Sequence, residues 1–292
     1  MARIEVLKTY KIYIGGAFPR TESGRYYPLN DKAGKLIANI CLSSRKDFRN
    51  AVVAARSAFG GWSSRAAFNR SQILYRIAEM LETRKAQFTH ELVQQGSTSK
   101  AAEAEVNLAV DRLVYYAGWC DKYQQLFSSI NPVATAHFNF SVPEPMGVVS
   151  IIAADESGLI SLINAIAPVI AGGNTCIVLA SESKPLSAIS FAEVLNSSDV
   201  PGGVVNILTG KVSELHTHFA NHMDVNAMVY DGDDEALTKI IQQLAALNVK
   251  RVFVHGRSKR TEVPNPYLIM DTQEIKTTWH PIENIGVSGG KY

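Results

Sequence analysis

Three kinds of side chain in this 292-residue sequence are of types that carry chemistry: thiols, adjacent carboxylates and histidines. Cys41, Cys120 and Cys176 are far apart, odd in number and free of any Cys-x-x-Cys pair, which argues against a zinc site and a secreted disulfide framework. A reducing compartment fits them. Cys176 lies in an apolar strand-like run, where a cysteine is an inert small hydrophobe. Asp155, Glu156 and His255 could do acid–base work. The alternative is that the two carboxylates are solvated loop or cap residues and that one histidine at a strand end is structural. His216, His218 and His222 are spaced by two and four, which could attract a metal. No nearby cysteine completes a set, so an exposed helical face is the better reading. The run Tyr230-Asp231-Gly232-Asp233-Asp234-Glu235 precedes a helical pattern. Carboxylates there cap a helix well but fill with like charge a place that otherwise attracts phosphate.

The elements that position these groups follow from periodicity. Tyr13 to Gly16 reads as a strand entering a turn, with Ser23 to Pro28 returning from it. From Asp47 a helical face carries Phe48, Val52, Ala55 and Phe59, and after Trp62 a longer helix carries Ile73, Ile77 and Leu81. Asn107 to Tyr123 continues as helix, with Tyr115, Tyr116 and Trp119 crowding one end as core. Ala134 to Pro143 alternates as a half-exposed strand. Then the pattern changes. Val148–Ala153, Cys176–Leu179, Val204–Leu208, Ala227–Tyr230 and Arg251–Val254 read as strands, and 159–171, 185–195, 212–219 and 235–247 as the helices between them. Strands alternating with helices predict an α/β, Rossmann-like, doubly wound parallel sheet from Pro145 to Arg257. Ser258 to Pro266 reads as a linker, and Ile275 to His280 alternates as an exposed strand without a sequence neighbour. An unpaired edge needs a cover, so this strand is expected to pair with the strand near Phe138 or with another chain.

Composition bounds the partners. The 29 basic and 27 acidic residues nearly cancel, so no long-range field points to nucleic acid or an anionic membrane. No segment reaches the ~20 apolar residues of a membrane span. The expectation is a cytoplasmic protein with no nucleic-acid and no membrane partner.

The sequence resembles the aldehyde dehydrogenase superfamily over nearly its whole length. The resemblance rests on Ala51 to Trp62 (AVVAARSAFGGW), Arg70 to Arg84 (RSQILYRIAEMLETR), Tyr115 to Asp121 (YYAGWCD), Glu144 to Val149 (EPMGVV), Ile166 to Thr175 (IAPVIAGGNT), Pro185 to Ala188 (PLSA) and Pro201 to Gly210 (PGGVVNILTG), in the family's order. Thr272 to Pro281 (TQEIKTTWHP) resembles the terminal strand with which these enzymes oligomerise. What the resemblance implies is a degenerate dinucleotide-binding unit over 1–257 with N-terminal helices and a first oligomerisation strand near 133–145. A linker at 258–266 stands in place of the catalytic domain, and an oligomerisation tail strand fills 267–292. In that family a cysteine thiolate attacks the aldehyde, an asparagine amide helps hold the oxyanion, hydride passes to a nicotinamide and a glutamate activates water. The lobe bearing the nucleophile precedes the terminal strand, and none of Cys41, Cys120 and Cys176 takes its position.

The resemblance also locates degenerate positions. Glu156 falls where the oxyanion-binding asparagine stands, and a carboxylate cannot donate that hydrogen bond. Losing one such donor costs about 10²–10³ in rate. Leu179 falls on the ribose-binding lysine, and His255 near the general-base glutamate. Asp231, Gly232 and Asp233 fall on the turn facing the pyrophosphate, where repulsion between unit charges ~4 Å apart reaches ~4 kcal/mol at an effective dielectric of 20. The resemblance therefore implies no catalytic residue, no metal and no expected cofactor, with residual NAD(P) binding as an open alternative. The expected role is a catalytically inactive subunit that docks on an aldehyde-dehydrogenase-fold partner, a catalytic paralogue or a second copy. Phe138, Phe140, Ile275, Thr277 and Trp279 would form the interface. The alternatives are a small-ligand or dinucleotide-binding protein without dehydrogenase activity, and an enzyme of another class.

Overall fold

A computed structural model describes residues 8–256 and 264–282. The chain opens with β1 (Tyr26–Asn30) and β2 (Leu36–Cys41), an antiparallel pair. This corrects the sequence expectation for the opening: residues 23–28 do not return on Tyr13. Tyr13 instead exchanges backbone hydrogen bonds with Ile207 at 2.9 and 2.8 Å, because its ring is buried in the core against Phe18.

Helices α1 (Arg45–Ser63), α2 (Ala67–Thr83), α3 (Lys85–Gln94), α4 (Ser99–Ala117) and α5 (Tyr123–Phe127) follow. The start of α1 is fixed by Asp47, whose carboxylate accepts the Ser44 backbone N–H at 2.7 Å and the Glu22 N–H at 2.9 Å. The helix expected from Asn107 already begins at Ser99, where the Thr98 hydroxyl accepts the Ala101 N–H, and it ends at Gly118 rather than continuing to Tyr123.

Next come β3 (Ser129–Asn131), β4 (His137–Pro145), β5 (Val148–Ile152), α6 (Ile160–Ala171), β6 (Thr175–Leu179), α7 (Leu186–Asn196), β7 (Val205–Leu208), α8 (Val212–Asn221), β8 (Ala227–Tyr230), α9 (Glu235–Ala246) and β9 (Arg251–Val254). The five strands β5 to β9 form one parallel sheet in the order β7-β6-β5-β8-β9. Every residue of β5, β6, β7 and β8 is buried, as a parallel sheet covered on both faces requires. Alternation divides the strands between two cores. Val149, Ile151, Cys176 and Val178 face α2, α4, α6 and α7, while Val148, Ile152, Ile177 and Leu179 face α1 and α8.

The tail then leaves the sheet. A single helical turn, α10 (Tyr267–Met270), replaces the strand expected at the start of the tail and buries Ile269. It leads to β10 (Gln273–Pro281), which pairs antiparallel with β4 from Gln273↔Pro145 to Pro281↔His137. The second sheet thus has the order β10-β4-β3, and of the two covers expected for the tail strand it is the strand near Phe138 that supplies one. Residues 255–266 separate β9 from α10. Of the expected linker, 258–263 lie outside the described residues, as do 283–292 of the tail.

The tail is tied to the core by amide side chains. Asn174 accepts the Gly147 N–H at 2.9 Å and donates to the Thr272 carbonyl at 2.9 Å, while Gln273 donates to the Gly172 carbonyl at 3.1 Å. At the β4–β5 junction Gly147 has φ 134°, and a Cβ there would collide with the Asn226 amide that accepts the Val148 N–H.

Candidate functional site

The strand order places β5 centrally, with the chain building outward through β6 and β7 and then crossing back to β8 and β9. Such a reversal opens a crevice at the carboxyl ends of the strands. Leu179 ends β6, and the loops after β5, β8 and β9 carry Glu156, Asp231 to Asp233 and His255, so topology brings to one end of the sheet the positions that sequence reasoning took one by one.

Each position is already engaged. Leu179 is fully buried at the end of β6, on the face of α1 and α8, and its backbone carbonyl accepts the Ala153 N–H at 3.0 Å. The side chain is therefore core. Glu156 is exposed, and its carbonyl accepts a hydrogen bond from the Lys184 ammonium at 2.5 Å. Beside it, Asp155 gathers the β6–α7 loop: its carboxylate accepts the Ser181 hydroxyl at 2.7 Å and the Ser183 N–H at 2.9 Å. Partial burial pushes the Asp155 pKa up, but the hydrogen bonds from Ser183, Ser181 and Glu182 outweigh it and hold the group below the usual carboxylate range. The phenol of Tyr27, donating to the Glu182 carbonyl at 3.1 Å, is pushed the other way, first by burial and then by the negative charge of Glu182 and Asp155.

The amino terminus of α6 faces this loop and is filled by Glu105 of α4. One carboxylate oxygen accepts the Ser157 hydroxyl at 2.6 Å, the Leu159 N–H at 3.0 Å and the Ile160 N–H at 3.1 Å. Sequence reasoning missed this residue, which lies fifty-odd positions upstream with nothing local to mark it.

At the amino terminus of α9 the acidic turn behaves as the sequence predicts for a cap. Asp234 accepts the Ala236 and Leu237 N–H groups at 2.9 and 3.0 Å. Asp231 is buried and donates its N–H to the Ile152 carbonyl at 2.9 Å. At Gly232 a Cβ would meet the Tyr230 ring at 2.5 Å, so the phenol packs directly over the turn. Asp233 lies against Gly256, whose Cβ would approach its carboxylate to 2.8 Å.

His255 donates its backbone N–H to the Tyr230 carbonyl at 2.9 Å, and its Nε2 sits 3.0 Å from Asp271 Oδ2. That partner, too, is invisible locally. It is the first residue after α10 and joins the end of the parallel sheet to the tail.

The cysteines lie elsewhere. Cys120 follows α4 with its thiol on the Tyr116 carbonyl at 3.4 Å, and burial pushes its pKa up to about 12. Cys176 is fully buried within β6, and burial pushes its thiol up further still. Cys41 is half-buried at the end of β2. His216 and His218 sit on α8 with His222 just after it, and no metal-binding cluster of three or more His, Cys, Asp or Glu occurs among the described residues.

The expected interface residues divide between two faces of the β10-β4-β3 sheet. Trp279, Thr277 and Ile275 stand opposite Asn139, Ser141 and Pro143, so these six share one face, where the Ser141 and Thr277 hydroxyls meet at 2.8 Å. Phe138 and Phe140, with ring centroids 5.4 Å apart, lie on the other face opposite His280 and Thr278, alongside Ile130. From Glu274 to Pro281 every residue of β10 is exposed. No described helix is long and apolar enough to cross a membrane.

Comparison with known proteins agrees with this architecture. The model of the aldehyde dehydrogenase family matches residues 19–276. Cytosolic 10-formyltetrahydrofolate dehydrogenase of Mus musculus is 32% identical over 249 residues, 83% of this chain and 28% of that protein. Mitochondrial 10-formyltetrahydrofolate dehydrogenase of Homo sapiens is 30% identical over 278 residues, 93% of this chain and 30% of that protein. Among solved structures, an NAD+ complex of aldehyde dehydrogenase from Bacillus cereus superposes with a TM-score of 0.81 at 25% identity, covering 85% of this chain and 51% of the other. HpcC from Thermus thermophilus gives a TM-score of 0.80 at 28% identity, covering 85% and 48%. The chain thus spans less than a third of these curated relatives and about half of these solved chains. With a matching α/β parallel sheet and a family model that extends over most of its length, this chain belongs to the aldehyde dehydrogenase family.

Proposed function

We propose that this chain is a catalytically inactive aldehyde-dehydrogenase-fold subunit that assembles, through the β10-β4-β3 sheet, with another subunit of the same fold, a catalytic paralogue or a second copy. The observation that carries this reading is the exposed edge of β10. Its nine residues pair with β4 on one side, expose Ile275 and Trp279, and occupy a sheet edge that proteins ordinarily cover. The reading of inactivity draws on the passage from β9 to α10 within residues 255–266, where a second α/β lobe of ~100–200 residues has no room. It also draws on the crevice itself, where carboxylates of the chain already take the α6 and α9 amides that would otherwise meet an anion.

Native mass spectrometry of the chain, alone and mixed with a full-length aldehyde dehydrogenase, tests the assembly. The expected result is a defined oligomer that Ile275→Glu with Trp279→Glu dissociates. A monomer in both samples contradicts the proposal.

A second reading has one observation in its favour: the Bacillus cereus structure with the same fold is an NAD+ complex. On that reading the chain binds a dinucleotide or another small ligand without oxidising aldehydes. Calorimetry with NAD and NADP separates the two. A dissociation constant below about 100 µM, some −5.5 kcal/mol, favours the second reading.

A further inference from the structure

Between α1 and α8 lies a recess of about 340 Å³, lined by Arg45, Phe48, Arg49, His218, Asn221 and His222. We propose that it is a binding site for a small phosphate-type dianion, gripped by the two guanidiniums and the two imidazoles. The site lies by the last turn of α8, which runs from the carboxyl end of β7 toward the amino end of β8, and it shares no residue with the crevice described above.

Arg45 and Arg49 are four residues apart on α1, and His218 and His222 are four apart along α8 and its cap, so each helix turns a pair of like groups to one side. Like charges at this spacing cost a helix about 0.2–0.5 kcal/mol unless something answers them. Neither Arg45 nor Arg49 makes an ion pair among the described residues, and no carboxylate lines the recess. The acids beside these residues in sequence are committed elsewhere. Asp224 is held by Arg56 at 2.8 Å, and Asp47 accepts the Ser44 and Glu22 amides.

Behind the recess, buried Lys250 donates to the Ala220 and His222 carbonyls at 2.8 and 3.0 Å, neutralising the negative end of α8 that would otherwise repel an anion. The floor is apolar. Phe48 packs on Phe219 with centroids 4.2 Å apart and meets the His222 ring edge-on at 5.7 Å. An apolar wall strengthens any charge interaction above it. His222 Nδ1 accepts the Asp224 N–H at 3.2 Å, which puts the ring proton on Nε2 as a donor. A metal cation is disfavoured by the same arginines. The volume sits at the low end of small-ligand sites, suited to phosphate or a short phosphomonoester.

The groups facing the imidazoles are Arg45 and Arg49 from α1, His216 from α8, Lys250 ahead of β9 and the single carboxylate Asp224. Burial first, then these cations, hold both imidazoles below the usual histidine range, so a bound dianion should draw a proton onto His218, while His222, whose Nδ1 already accepts the Asp224 N–H, donates from Nε2 in its neutral form.

Proton–carbon NMR of the histidine rings tests the site, with inorganic phosphate, sulfate or glycerol 3-phosphate added at constant ionic strength against chloride. The expected result is saturable shifts of His218 and His222 with exposed His90 unmoved, weakened at least tenfold in Arg45→Ala with Arg49→Ala. Sulfate, a dianion throughout, should bind more tightly at pH 6 than at pH 8. Tighter glycerol 3-phosphate points to an organic phosphoester, and equal affinity to free phosphate. Shifts that chloride reproduces, or that persist unchanged in the arginine variant with its fold verified by circular dichroism, overturn the proposal. His218→Gln is a second variant expected to weaken binding without touching the arginines.

Discussion

His255 and Asp271 meet at 3.0 Å between the end of β9 and the turn that launches β10, so the last strand of the parallel sheet is fastened to the strand that completes the small one. The histidine side chain is only 12% exposed. In this position it works as a clamp. Arg251, donating to the Gln273 carbonyl at 3.0 Å, makes a second tie across the same junction. Removing either member of the His255–Asp271 pair, by His255→Ala or Asp271→Ala, should cost about 1–3 kcal/mol, the penalty for a part-buried polar group left without its partner. The double variant should cost less than the sum. Urea unfolding of the four proteins measures that coupling, and additive effects would show that the contact contributes nothing.

Lys250 gives the folded protein a pH dependence of definite sign. Burial pushes its pKa down to about 8, although its ammonium donates to two carbonyls. Between that value and the ~10.4 of an unfolded lysine, the unfolded chain holds a proton that the folded chain has released. The contribution of this group to stability therefore rises with pH across that window and is flat below it. Comparing urea midpoints from pH 7 to pH 10 for the parent and Lys250→Met should reveal a rise in the parent that the variant lacks. Parallel curves would refute the assignment.

The carboxylates at the helix ends should behave as caps. Asp234→Ala should destabilise by about 1 kcal/mol, as loss of an N-cap ordinarily does. Glu105→Ala should cost more, about 1.5–3 kcal/mol, because one charged oxygen serves three donors from the β5–α6 loop. Thermal unfolding ranks the two. Hydrogen exchange at Leu159 and Ile160 should quicken in the Glu105 variant alone.

The sequence made the parallel sheet legible because its strands are short apolar runs set between amphipathic helices, and a period of two or near four survives in the residues themselves. It showed part of β1, since residues 23–28 read as β, but not its partner β2, whose run Leu-Ile-Ala-Asn-Ile-Cys is only partly buried, nor β3, which has three residues. It also hid α3, which buries only Phe88, Glu91 and Leu92. The same limit applies to the site. Glu156, Leu179, Asp231 and His255 could be located by counting from the motifs that carry the family resemblance, which the local sequence holds. Glu105 and Asp271 could not, since what they do depends on partners brought to them by the fold. The recess between α1 and α8 was half visible. The histidine spacing pointed to one exposed helical face, but the arginines that complete it lie on a helix about 170 positions upstream.

The account of an inactive subunit is tested most directly by turnover. The purified chain, with NAD or NADP and a panel of aldehydes, should form no NADH or NADPH above a protein-free control when followed at 340 nm. Nicotinamide reduction stoichiometric with aldehyde consumed, and abolished by alkylating the thiols, would contradict it.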